Sequence, residues 1–112
     1  VQLVVMLYDA ALKHCRLGRD AVREGRLAVQ HEHLTKAQQI LSELSCSLDM
    51  DRGGEIAKNL FGLYTFCTNE LARANVEDST EPILAVEQVL AELREAWQAI
   101  AKPQGEEERI AA

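Results

Sequence analysis

Ser47-Leu48-Asp49-Met50-Asp51-Arg52-Gly53-Gly54-Glu55-Ile56-Ala57-Lys58-Asn59-Leu60-Phe61-Gly62-Leu63-Tyr64 reads as a helix end, a two-glycine reversal and a helix start. Two glycines in succession allow backbone angles that other residues resist, so Gly53-Gly54 marks a sharp turn. Downstream, Ile56, Leu60, Leu63, Tyr64, Cys67 and Leu71 recur at helical spacing, and upstream so do Leu27, Leu34, Ala37, Leu41, Leu44 and Leu48. A short turn between two amphipathic helices of similar length makes them antiparallel neighbours.

The same pattern extends to both ends. A first helix is expected from about Val1 to Glu24, ended by Gly25, and a second from about Leu27 to Met50. The third starts near Gly54 and fades around Asn75. Asp78-Ser79-Thr80 offers N-caps for a fourth, whose first turn tolerates Pro82 and which Pro103 is expected to stop. The stripes of the first and fourth helices are Val4, Leu7, Tyr8, Ala11, Cys15 and Val22, and Val86, Val89, Leu90, Leu93, Ala96, Trp97 and Ile100. No strand pattern and no internal repeat is present. The reading is all-α, an antiparallel up-down four-helix bundle: one domain over residues 1–103, then a flexible acidic tail over 104–112 carrying Glu106-Glu107-Glu108.

Composition narrows the function classes. The chain has 112 residues, enough for one domain with a real core. A net charge of -6 argues against nucleic acid and against anionic membrane surfaces, both of which call for clustered Lys and Arg. The apolar run Leu3 to Tyr8 is far too short to cross a bilayer. The chain begins at Val1 without a Met, as a trimmed sequence would.

Enzyme chemistry finds no foothold. Cys15, Cys46 and Cys67 are odd in number and lack CxxC spacing, which fits reduced thiols. His31 and His33 diverge on a helix and cannot share a metal. No Glu-x-x-His pair supports a di-iron site, and Gly53-Gly54 lacks the lysine of a phosphate loop. No catalytic residue, metal or cofactor is expected. His33-Leu34-Thr35-Lys36-Ala37 faintly resembles the His-x-x-Lys-small pattern of histidine phosphotransfer domains, so a phosphotransfer role through His33 is one alternative reading.

More informative are apolar residues that a core does not need. At roughly 100° per residue, Val5 and Met6 point into the polar sector of the first helix, defined by Asp9, Lys13, Arg16, Asp20 and Arg23. Phe61 and Phe66 fall on opposite flanks of the third stripe, and Leu84 falls off the fourth. One reading makes them edge residues of the core, another a homodimer surface giving a weak homo-oligomer, and a third a lining for grooves that take a partner's amphipathic helices. Asp9 and Asn59 sit beside stripe residues, where they are either solvated or able to hydrogen-bond a partner backbone.

The wording SLDM-x-x-GGEIAKNL-x-x-LY over Ser47–Tyr64 resembles the central signature of the flagellar secretion chaperones, the FliS family. Leu7-Tyr8-Asp9-Ala10 is similar to that family's LYDG motif, with Ala in the last place. Lys36-Ala37-Gln38, Glu43-Leu44, Ala74-Asn75 and Leu93-Arg94-Glu95-Ala96-Trp97 continue the likeness from about Leu3 to Ile100. The resemblance implies a cytoplasmic, non-enzymatic helical bundle that binds the disordered C-terminal region of flagellin. It implies that this prevents premature polymerisation and aids delivery to the flagellar type III export gate. Family members carry a leading segment before the first helix that covers the client groove, so Val5 and Met6 are expected to be bare or covered by a neighbour. With the surplus apolar positions, the resemblance puts the flagellin groove at Val5, Met6, Tyr8, Asp9, Asn59, Phe61, Phe66 and Leu84.

Overall fold

A computed structural model describes the backbone of residues 2–111 and the side chains of residues 3–100. Four helices follow one another: α1 (Gln2–Glu24), α2 (Leu27–Cys46), α3 (Met50–Glu77) and α4 (Glu81–Ala111). Each packs on its neighbour in sequence, and α4 closes the square against α1. This is the up-down bundle expected from the stripes. Its core is Tyr8, Ala11 and Cys15 from α1, Leu34, Ala37, Leu41 and Leu44 from α2, Tyr64, Cys67 and Leu71 from α3, and Ile83, Val86 and Leu90 from α4.

Local chemistry explains the helix ends. Gly25 takes a φ of 69°, the left-handed angle that lets its N–H reach the Val22 carbonyl and the Arg26 N–H reach that of Ala21. At the far end of α3, Asp78 adopts the same region with a φ of 53°, and the Ser79 N–H bonds the Ala74 carbonyl. An aspartate can hold this angle where bulkier residues resist it. Here Gln30 of α2 fastens it, its Nε2 donating to Asp78 Oδ1 at 3.0 Å and to Asn75 Oδ1 at 3.1 Å. Gln30 is fully buried, a polar lock between the two turns at that end of the bundle.

The Gly53-Gly54 block behaves differently from the expectation. α2 ends at Cys46, four residues short of Met50, and the chain has already reversed over Ser47–Asp49. Asp49 is the reason: its Oδ1 accepts from the N–H groups of Asp51 and Arg52, so Met50 opens a new helix instead of closing the old one. Gly53 belongs to that opening turn. Gly54 then breaks it with φ 52° and ψ −128°, a conformation open in practice only to glycine, and re-aims the chain along α3.

Two further expectations are corrected. α4 continues through Pro103 to Ala111. A proline deletes one helix hydrogen bond and crowds the preceding turn, which a long helix can absorb as a bend. The stripes are also wider than the core. Leu27 is 53% exposed, Ile56 72%, Leu63 37% and Ile100 56%, and Ala96 is exposed too. Each keeps helical register with the core, but only two neighbouring helices cover any one helix, so the flanks stay bare.

Candidate functional site

Positions within each helix assign the bare residues to particular grooves. On α3, Asn75 and Thr68 face α2, as the Gln30 bond and a Gln38 Nε2 to Thr68 carbonyl bond at 3.2 Å show. At 100° per residue Phe61 falls on that same flank, whereas Ile56, Leu63 and Phe66 fall on the opposite one, toward α4. On α4, Glu87 and Arg94 face α1, through a two-pronged pair with Arg19 at 2.8 and 3.1 Å and a pair with Asp9. Ala96 and Ile100 therefore flank α3. Antiparallel packing sets Ile56 opposite the Ile100 end and Phe66 nearer Val89. The α3/α4 groove is thus an apolar track, while the α2/α3 groove offers Phe61 among Gln38, Ser42 and Thr65.

The track runs into a cleft at the end of the bundle where α2 turns into α3. The cleft has a volume of about 380 Å³ and is lined by Val4 of α1, Leu44 and Leu48, the Asp49–Gly53 turn, Ile56, Leu60 and Tyr64 of α3, and Trp97 of α4. Two of its lining residues, Tyr64 and Trp97, belong to a buried polar cluster with Tyr8. Trp97 Nε1 donates to the Tyr8 hydroxyl at 3.2 Å, and the Tyr8 and Tyr64 hydroxyls bond each other. The two tyrosines reach across the diagonal of the square. Burial pushes both phenols above their ordinary range.

The expected groove residues are scattered. Met6 is 61% exposed on the outer face of α1, and Val5 is half-buried. Phe61, Phe66 and Leu84 are 48%, 45% and 45% exposed, and Asn59 is exposed. They occupy different sides of the bundle: Phe66 and Asn59 on the α4 flank of α3, Phe61 on its α2 flank, Leu84 on the α1 side of α4. Tyr8 is the exception, fully buried and held by Tyr64 and Trp97, so it cannot meet a partner directly. Asp9 is already engaged, since both carboxylate oxygens take bonds from Arg94, which also donates to Gln98. Periodicity alone puts Ile56, Leu63 and Ile100 in the core, together with the cleft's Val4, Leu44, Leu48, Leu60, Tyr64 and Trp97. Nothing in the spacing distinguishes a stripe's covered centre from its bare edge.

His33 is half-buried in the α1/α2 seam, its Nδ1 3.0 Å from Nδ1 of His14. The ring centroids are 5.2 Å apart with planes within 24°, so the rings meet edge to edge through an N–H···N bond. That engagement removes one ring nitrogen from any phosphotransfer chemistry. Burial lowers the His14 pKa first, then the charge interactions with His33, Lys36 and Lys13. A base whose pKa lies lower in the folded chain than its unfolded 6.5 binds more protons when unfolded. Stability should therefore be full above about pH 6.5 and decline as pH falls through that value toward the folded pKa. Urea midpoints at pH 7.5 and 5.5 should show the drop, and His14→Gln should flatten it, since the carboxylates titrate in a lower window. A midpoint that is level over that range in the wild type would mean His14 carries no linkage.

Among the described residues no group of three His, Cys, Asp or Glu could hold a metal, and no helix is long and apolar enough to cross a membrane. Cys15 and Cys67 are buried, with burial raising their thiols to about 12 and about 11, which makes them unreactive packing groups.

The chain matches the family described as "Flagellar protein FliS" over residues 1–104. It is 36% identical over 100 residues to a flagellar secretion chaperone FliS of Salmonella typhimurium, covering 88% of this chain and 74% of that one. It is 34% identical over 99 residues to the namesake of Vibrio cholerae, covering 88% and 73%. The match to the Bacillus subtilis protein of that name is 31% over 96 residues, covering 86% and 71%. A crystal structure described as a flagellar chaperone from bacteria superposes with a TM-score of 0.84 at 22% identity, over 91% of this chain and 83% of that one, a likeness of fold.

Proposed function

We propose, since the chain belongs to the FliS family of flagellar secretion chaperones, that it holds the C-terminal region of flagellin in the cytoplasm, keeps it from polymerising and aids its delivery to the type III export gate. The family is one of chaperones, not enzymes, so the function sought is binding. One observation carries the reading: large apolar side chains lie bare on several sides of one small bundle, with Phe66, Ile56 and Ile100 along one groove, Phe61 on another and Met6 on a third face. A single pocket would suit a small ligand. A distributed track suits a disordered segment that wraps the bundle and orders as it binds, because recovering that ordering entropy takes a large buried area.

Calorimetry tests this directly. Full-length flagellin should give heat and a negative heat-capacity change, the mark of apolar burial. Flagellin shortened at its C-terminus should give neither. Equal binding of both forms would move the contact elsewhere, and no binding of either would reject flagellin as the client.

A further inference from the structure

The hydrogens around Tyr8, Tyr64 and Trp97 do not balance. Trp97 Nε1 is a donor only, and each phenol carries one hydrogen. Three donors thus meet two acceptor oxygens. Trp97 uses the Tyr8 oxygen, and a single bond between the hydroxyls uses one of the two phenolic hydrogens. Neither hydroxyl has another partner among the described residues, so one phenolic hydrogen is left over.

Its position follows from the surroundings. Tyr8 and Tyr64 are both buried, at 0% and 2% exposure, but only Tyr64 lines the cleft, together with Trp97. A free donor on Tyr8 would be orphaned in the core, at the cost of a desolvated group. The bond from Trp97 also polarises the Tyr8 hydroxyl toward donation. Both effects favour the chain Trp97 to Tyr8 to Tyr64, which leaves the unused hydrogen on Tyr64, the one of the two tyrosines that lines the cleft. Burial holds the Tyr64 phenol well above its ordinary range, so it keeps that hydrogen at any physiological pH.

We propose that the cleft between the α2/α3 turn, Val4 and Trp97 binds an aliphatic group carrying one acceptor oxygen, fixed by the unused hydroxyl hydrogen of Tyr64. This rests on the chaperone reading for its natural occupant: an aliphatic stretch of the client that presents one carbonyl oxygen, from a side-chain amide or the backbone, to Tyr64. Leu44, Leu48, Leu60 and Ile56 supply the apolar walls. A purely hydrocarbon anchor would leave the donor unsatisfied, and an ammonium or other donor-only group would oppose it.

Two small probes of nearly one shape separate the polar contribution from the apolar one: cyclohexanone and methylenecyclohexane, which differ in an acceptor oxygen. Trp97 is the only tryptophan, so its indole N–H gives a single NMR signal at the cleft wall. The affinity ratio, ketone over alkene, should fall about five- to tenfold in Tyr64→Phe, the worth of one neutral hydrogen bond. Tyr8→Phe should not lower it, because that change leaves the unused Tyr64 hydrogen in place and releases the Trp97 N–H as a second donor. The ratio compares two probes on the same folded molecules and is insensitive to lost stability. An unchanged ratio in Tyr64→Phe, an equal fall in both variants, or no probe binding by the wild type would overturn the proposal. Flagellin titrated in parallel distinguishes the two ideas: discrimination between the probes without flagellin binding would sink the client assignment and leave the acceptor site standing.

Discussion

Tyr8→Ala is expected to lower the unfolding free energy by about 3–5 kcal/mol, the range for deleting a large buried aromatic side chain. A domain of this size has a total stability of about 5–15 kcal/mol, so the loss is a large share of it. Tyr8 has no solvent exposure, spans the diagonal from α1 to Tyr64 on α3, and accepts the Trp97 N–H from α4. Removing it opens a cavity that three helices must close at once and leaves the indole and the Tyr64 phenol without their partner. Tyr8→Phe keeps the ring and should cost about 1–3 kcal/mol, the penalty for leaving the Trp97 N–H and the Tyr64 oxygen without their partner. Urea unfolding followed by circular dichroism measures both. A loss below about 1 kcal/mol for Tyr8→Ala would mean that the site relaxes freely, contrary to a close-packed interior.

Tyr8 also shows what the sequence could and could not disclose. Its place on the α1 stripe announces the core, because residues 4, 7, 8, 11 and 15 share one face at 3.6-residue spacing. Its inclusion in a client groove came from the family resemblance, and its burial now gives it an indirect part, as the support behind Tyr64 and Trp97. Asp9 is next door and was far less legible. Its partner Arg94 is 85 residues away, and no local pattern joins them. The His14–His33 and Arg19–Glu87 pairs are of the same kind, contacts created only when separate helices meet. The four helices, by contrast, were legible almost whole, since periodicity, caps and turns are local. The Gly53-Gly54 turn was misplaced by a few residues because a capping aspartate, Asp49, outranked the more conspicuous glycines. Ile56, Leu63 and Ile100 read as core on the stripe yet lie bare in the groove for a simple reason. A helical stripe records which face is apolar, not how much of that face two neighbours can cover.

That bare groove carries the larger binding prediction. The double variant Ile56→Asp with Phe66→Asp should weaken flagellin binding by roughly 30-fold or more, the scale of one or two lost anchors of about 2 kcal/mol. Ile56 is 72% exposed and Phe66 45%, so neither supports the core, and the melting temperature should move by no more than about 4 °C. Phe61→Ala and Met6→Glu, on other faces, should weaken binding less, because each removes a contact from one side of a wrapped client. Val76→Asp supplies the control. Val76 is 83% exposed near the C-terminal end of α3, far from the cleft and on the outer face, so a new charge there should leave the affinity unchanged. Equal weakening by Val76→Asp would show that added negative charge on an already acidic chain repels flagellin from any position. Full-strength binding by the double variant, in protein that melts normally, would remove the α3/α4 groove from the client's path and leave the α2/α3 flank with Phe61 and the outer face of α1 with Met6 to hold it.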